Sequence, residues 1–329
     1  MPATAPPLAL EFEPRFCANH VLDLTAGCSF GCVYCPFAEV RAERLGVARP
    51  TPVDVGCLAA LPAPPTVFLS PASDPFAPHA AARAHTVLEH LLPRGSAVGI
   101  LTKGNIPEHT LDLLAEHREQ VEGVAIGLSS LDDARNRALE PGCPPSAARL
   151  DTLARAAARR LPAALRLDPL IPDLDDGERA LEALAGAAAR HGAVAVTASY
   201  VFAWGPTRRR LRRHSLTATA ATLLTEKTPM AGGTAYGVPL ARKLATYALL
   251  ARLAARHGIH FSTCGCKDLR VRESGPFLSS CRNVLFLSGQ PTERPAGGCA
   301  GTARANGAPA AEPSAPAWET SPGPSDTGC

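Results

Sequence analysis

Residues Leu24–Phe37 read LTAGCSFGCVYCPF and place Cys28, Cys32 and Cys35 on one short segment. Thiols separated by three and then two residues can act together on a metal. Closed zinc sites take two such pairs, and no second pair completes this set nearby. A cubane iron–sulfur cluster offers a different match, because each of its four irons needs a ligand. Three cysteines can hold three irons and leave the fourth open to chelate a small molecule and pass it an electron. A structural zinc knuckle or inert thiols are the alternative readings. Gly27 and Gly31 suit such a loop, since glycine permits positive φ and close backbone approach.

A second constellation reads STCGCKD and then SSCRN, with Cys264 and Cys266 flanking one glycine and Cys281 further on. Three thiolates and a fourth ligand would complete an auxiliary cluster or a zinc site. Cys299, His257 and His260 are the candidates for that ligand, and ordinary thiols are the plainer account. Cys17, Cys57 and Cys143 have no partners in sequence and read as structural. Thr207–Ser215, TRRRLRRHS, is the strongest basic run. It suits phosphates of nucleic acid or an acidic leader peptide, and a solvated loop or helix start is the plainer reading.

The elements that must position these residues alternate along the chain. Apolar runs near Val21 and at Pro65–Ser70, Ala97–Thr102, Val121–Ser129, Ala163–Leu170 and Gly192–Ser199 predict buried strands. Between them, the stripe Ala81, Ala84, Val87, Leu88, Leu91 and Leu92, a segment opened by Pro107-Glu108, and the Ala-rich stretches Arg149–Leu161 and Glu178–Arg190 predict helices. Such alternation implies a parallel sheet covered by helices, either an open doubly wound sheet or a partial barrel. The cysteine loop follows the first strand, at the strand ends where parallel α/β folds place their chemistry. Pro239–His257 predicts an amphipathic helix, and GIHFSTCGC a further strand.

In these motifs the chain resembles the radical S-adenosylmethionine (SAM) superfamily, and within it the spore photoproduct lyase-like branch. The pattern Cys28-x3-Cys32-x2-Cys35, with Tyr34 before the last cysteine, carries the resemblance first. LSPASDPFAPH at Leu69–His79, LTKGN at Leu101–Asn105, LEPGCPP at Leu139–Pro145 and RLDPLIPDLDD at Arg166–Asp176 extend it in the same order. It implies an α/β fold, a partial (β/α)6 TIM-type barrel, with a 4Fe–4S cluster on Cys28, Cys32 and Cys35. SAM would bind the open iron and yield, on reduction, a 5′-deoxyadenosyl radical that abstracts hydrogen from a substrate. An electron donor such as flavodoxin or ferredoxin is implied. Ser73 and Asp74 match the contact to the SAM amino group, Lys103 its carboxylate, Ser129 the ribose or carboxylate, and Tyr34 the adenine. Each also has a bland reading: Ser73-Asp74-Pro75 as a turn or cap, Lys103 and Ser129 as rim residues. Glu140 and Asp168 match branch motifs without an evident mechanism. The chain departs from the lyase itself, which carries a cysteine hydrogen donor just before the Ser-Asp pair. Pro71 and Ala72 stand here, so photoproduct lyase activity is not expected. Pro36 also replaces a tyrosine.

Composition sets the outer bounds. The chain has 329 residues, of which 46% are apolar, enough for a large core. A net charge of +3 names no partner, and 5% aromatics are too few for an extended base-stacking platform. The N-terminal MPATAPPLALEFEPRF reads as neither a secretory signal nor a membrane span, so a reducing, cytoplasmic location and no membrane partner are expected. The expected organisation is an N-terminal extension over 1–19 and a radical SAM barrel over 20–237. A helix, strand and cysteine-rich extension over 238–289 and a disordered tail over 290–329 complete it. The substrate stays open between nucleic acid, peptide and metabolite. The competing reading is a non-catalytic iron–sulfur protein, such as a nucleic-acid-binding regulator.

Overall fold

A computed structural model describes residues 20–22, 24–25, 27–37, 66–70, 73–230, 233–274 and 277. The chain divides into a compact unit over 1–290, which contains all of these, and a second unit over 291–329 that lies outside the described residues. Cys17, Cys57, Cys281 and Cys299 also fall outside them.

Among the described residues, seven strands form one parallel sheet: β1 His20–Leu22, β2 Thr66–Leu69, β3 Ala97–Thr102, β4 Val121–Gly127, β5 Ala163–Leu170, β6 Ala195–Tyr200 and β9 His260–Thr263. They lie in chain order, and every neighbouring pair is parallel. Strands buried on both faces read as continuous apolar runs, and β6 is buried at every position. The expected partial α/β barrel is therefore the observed architecture. The strand read at GIHFSTCGC adds itself to β6 as the edge of this same sheet.

Helices fill the crossovers. They are α1 Ala81–Leu91, α2 Glu108–Glu116, α3 Asp133–Leu139, α4 Ser146–Ala158, α5 Glu178–Arg190, α6 Gly205–Arg213, α7 Ala218–Thr222, α8 Leu240–Arg256 and α9 Leu269–Ser274. Their apolar stripes face the sheet: Val87, Leu88 and Leu91 from α1, Leu111 and Leu114 from α2, and Leu181 and Leu184 from α5 are buried with Val98, Ile100, Val124 and Leu165. The short α3 owes its start to Asp132, whose carboxylate accepts from the Ala134 and Arg135 backbone amides at 2.8 and 3.1 Å. The basic run read as loop or helix start forms most of α6.

One element was not expected. Strands β7 Glu226–Met230 and β8 Gly233–Gly237 pair antiparallel as a separate two-stranded sheet. Pro229 lies within β7 and disguises it, because proline is tolerated only on edge strands, and in a two-stranded sheet both strands are edges. No helix among the described residues is long and apolar enough to cross a membrane.

Candidate functional site

The cysteine loop leaves β1 and runs across the ends of the neighbouring strands. Its start is fixed by β2: Ser70 donates its backbone N–H to Leu22 at 2.7 Å and accepts from Leu24 at its hydroxyl at 3.1 Å. Gly31 adopts φ +61°, a conformation that favours glycine. Cys28, Cys32 and Cys35 are not in disulfides, and each is partly exposed. Burial pushes the Cys28 thiol up to about 12, and Asp74, Cys32 and Cys35 push it the same way against a Phe30 backbone hydrogen bond.

Two remote segments hold this loop. The first follows α3. Val33 N–H donates to Leu139 O at 2.9 Å, and Gly142 N–H donates to Phe30 O at 3.0 Å. A Cβ on Gly142 would stand 2.5 Å from Ser29 O, so only glycine allows this approach. The second is α6. Arg210 donates through Nε to Val33 O and through Nη2 to Cys35 O, both at 2.5 Å. The rest of the basic helix is divided between roles. Arg208 lies 4.3 Å over the Tyr236 ring of the hairpin, and Arg209, Arg212 and Arg213 are exposed.

Beneath the loop sits a buried charge network. Glu140 has no exposed side-chain surface. It accepts from Tyr34 Oη, and from Arg149 Nη1 at 2.5 Å, with Lys103 Nζ 3.6 Å away. Burial works against its ionisation, but Lys103 and Arg149 outweigh it and hold the carboxyl down at about 2. Burial likewise disfavours charge on Lys103, yet Glu140 keeps its pKa above the ordinary lysine value. The Lys103 ammonium stands 5.7 Å from the Tyr34 ring centre and donates to Asp168 O at 2.9 Å. Burial drives the Tyr34 phenol well above its ordinary value, so it stays a hydrogen-bond donor. Glu140, without a mechanism in sequence, is thus the residue that orients both Tyr34 and Lys103.

The other expected residues separate into two kinds. Asp74 is buried and spends its carboxylate internally, accepting from Phe76 N at 2.9 Å, Thr102 Oγ1 at 2.6 Å and Lys103 N at 2.7 Å. Its side chain ties the ends of β2 and β3 together. Ser73, half-buried, caps the same turn by donating its backbone N–H to Ser70 O at 3.1 Å. Ser129, beyond the end of β4, is buried, and its hydroxyl has no partner among the described residues. Asp168 accepts from Lys267 Nζ, and from Arg166 Nε at 2.8 Å. Burial opposes its ionisation, but these two cations hold its carboxyl well below the usual range.

The C-terminal cysteines fare differently. Cys264 is buried at the end of β9 and Cys266 is partly exposed two residues on, while Cys281 lies outside the described residues. His257 is paired with Glu182 at 2.8 Å, so its ring is already engaged, and His260 is exposed on β9.

The donor chemistry of the first loop fits a cubane and a chelating ligand. Three soft thiols share one loop, an ammonium stands at the end of β3, and an unpartnered hydroxyl is buried past β4. Among the described residues no three His, Cys, Asp or Glu side chains gather as ligands for a single ion. A cubane does not require that, because it spreads its thiolates over separate irons.

Solved proteins share this fold. Spore photoproduct lyase in complex with a dinucleoside spore photoproduct superposes with a TM-score of 0.60, at 18% identity, over 77% of this chain and 79% of that one. The chain has the fold of spore photoproduct lyase. A variant of the lyase with bound AdoMet and the same photoproduct gives 0.57 at 17% identity. Streptococcus suis SuiB bound to S-adenosylmethionine gives 0.50 at 12% identity, over 74% of this chain and 49% of SuiB. In sequence, an uncharacterized protein of Mycobacterium tuberculosis is 31% identical over 199 residues, 55% of this chain and 58% of that protein. The match therefore spans little more than half of that relative. No protein-family profile matches the chain.

Proposed function

We propose that the chain is a radical SAM enzyme in which Cys28, Cys32 and Cys35 hold a 4Fe–4S cluster whose open iron takes SAM. The observation that carries this reading is the three-thiol loop that follows β1, tied to the end of β2 through Ser70 and with Lys103, past the end of β3, near its Tyr34, in a fold that solved AdoMet-binding proteins share. When bound, the cluster and SAM would supply one-electron cleavage of SAM and a carbon-centred radical for hydrogen abstraction. The chain's residues position and shield these groups. Lys103, oriented by Glu140, would pair with the SAM carboxylate. Ser129 would give its free hydroxyl to the ribose or carboxylate. Ser73 would line the amino-group side on the turn that Asp74 fixes. Tyr34 would pack near the adenine while its hydroxyl stays with Glu140. The test is anaerobic reconstitution with iron and sulfide, followed by reductant and SAM: 5′-deoxyadenosine and methionine should appear, and their absence overturns the reading.

Two variants probe the support. Lys103→Ala should leave the cluster in place, as judged by iron content and absorbance, while SAM binding weakens by roughly ten- to a hundredfold, as for a lost charge-assisted hydrogen bond. An unchanged dissociation constant returns Lys103 to a structural role. Arg210→Ala should loosen the cysteine loop, so that a chelator strips iron several-fold faster than from the unaltered protein. Arg210→Lys should recover only part of this, because an ammonium cannot reproduce the two-pronged guanidinium contact. Equal stripping rates in all three proteins dismiss the clamp.

The substrate proposal is an anionic polymer, with nucleic acid first. Arg209, Arg212 and Arg213 share one face of α6 by their spacing, are exposed, and sit on the helix that holds the cysteine loop. Exchanging all three for Gln should weaken binding to single-stranded DNA and lower the slope of log K against log salt by about 2. An unchanged slope overturns this choice.

A further inference from the structure

Cys143 has no place in the three-thiol set, yet it faces it. Its Sγ lies 3.9 Å from Cys32 Sγ. Both thiols, with Cys28, pack against the small apolar cluster of Phe30, Ala77 and Ala80. The two backbones cannot drift apart easily, because Val33 bonds to Leu139 on one side of the contact and Gly142 to Phe30 on the other. Cys143 N–H also donates to Glu140 O at 3.0 Å, which fixes the turn that presents the thiol.

We propose that Cys32 and Cys143 are a latent redox pair: in the cluster-free chain a peroxide joins them in a disulfide that withdraws one iron ligand reversibly. The pairing stands on the geometry. Its consequence for iron rests on the reading of Cys32 as a cluster ligand. Sulfur–sulfur contact must shorten to about 2.05 Å in the bond, a closure within reach of side-chain rotation when the segments already abut. In the first step a thiolate attacks hydrogen peroxide, the O–O bond breaks, and a sulfenic acid and hydroxide form. In the second, the other thiolate attacks the sulfenic sulfur, the S–O bond breaks, and a second hydroxide leaves. Two electrons pass from sulfur to peroxide and two thiol protons end in water. A dithiol reductant reverses the bond by exchange. Sulfur so bonded cannot bind iron, so an oxidised empty site stays empty until it is reduced. That would spare the site loading by stray metal during oxidative exposure.

The test uses the full-length chain stripped of iron and reduced. It is treated with equimolar hydrogen peroxide, blocked with an alkylating agent, and digested without reductant. Mass spectrometry should find the Cys32 and Cys143 peptides cross-linked as the main disulfide, and dithiothreitol should release them. Recovery of Cys143 as an alkylated free thiol, with Cys32 bonded to Cys28 or Cys35, overturns the proposal. Iron uptake on anaerobic reconstitution should fall sharply after peroxide and return after dithiothreitol. Reduced Cys143→Ser should take up as much iron as the reduced unaltered chain; a lower uptake makes Cys143 a ligand and overturns its role as a mere partner. A cross-link formed in a chain that takes up no iron even when reduced leaves the pairing standing and removes the cluster reading instead.

Discussion

Replacing Cys28, Cys32 or Cys35 singly with Ala is expected to abolish reductive cleavage of SAM. Each thiolate is assigned one iron, so losing any one either leaves an iron without a protein ligand or prevents assembly. Iron content, absorbance of the reconstituted protein and 5′-deoxyadenosine formation report the two possibilities separately. Lys103→Ala provides the contrast, since it should keep iron while weakening SAM binding. Unchanged cleavage in all three cysteine variants removes the assignment. The triple variant answers a further question. If Cys264, Cys266 and Cys281 hold a second cluster or a zinc, protein lacking the first three cysteines should retain metal and release it when these are also removed. Metal-free triple variant would reduce the C-terminal cysteines to thiols. Their spacing in sequence and the position of Cys264 at the end of β9 are the basis for that second site.

The fold was legible because its signals are local. The strand runs at Ala97–Thr102 and Ala163–Leu170 match β3 and β5 residue for residue, and Glu178–Arg190 matches α5. Buried parallel strands and amphipathic helices each carry their period in a few consecutive residues. The hairpin β7–β8 escaped because Pro229 and a glycine-rich neighbourhood suppress strand propensity. The cysteine loop was legible for the same local reason, as three thiols within one turn-forming stretch.

What escaped in the site is long-range. Arg210 and the carbonyl of Cys35 are 175 residues apart in sequence, and Cys32 and Cys143 are 111 apart. A run of arginines reads as a solvated face whichever one of them turns inward, and an isolated cysteine reads as filler. The sheet explains both. Segments after β1, after α3 and after β6 all emerge on the side where the strands end, so residues far apart in sequence meet above it. Glu140 was visible as a motif residue, but its task needed Tyr34, Lys103 and Arg149 in view together.

That task has a measurable energetic side. Glu140→Gln should destabilise the protein by roughly 3–5 kcal/mol, as for breaking a buried ion pair and stranding its partners. Arg149 has no exposed side-chain surface, so its guanidinium would be left buried opposite a neutral amide. Replacing both, as Glu140→Leu with Arg149→Met, should cost less than the single exchange, because no stranded guanidinium remains. The carboxylate also predicts the pH dependence. Its folded pKa of about 2 lies below the ordinary value of 4.5. A carboxyl depressed on folding holds fewer protons in the folded than in the unfolded chain between those values. Its stabilisation is therefore complete above the unfolded value and is lost as pH falls towards the folded one. The gap corresponds to roughly 3 kcal/mol. Urea unfolding of the unaltered chain and of Glu140→Gln, followed from neutral pH down to about pH 3, should show the two stabilities converging as acid is added. A difference that stays constant across that range would mean that Glu140 is not held ionised by Lys103 and Arg149. The orientation of Lys103 towards SAM would then need another source.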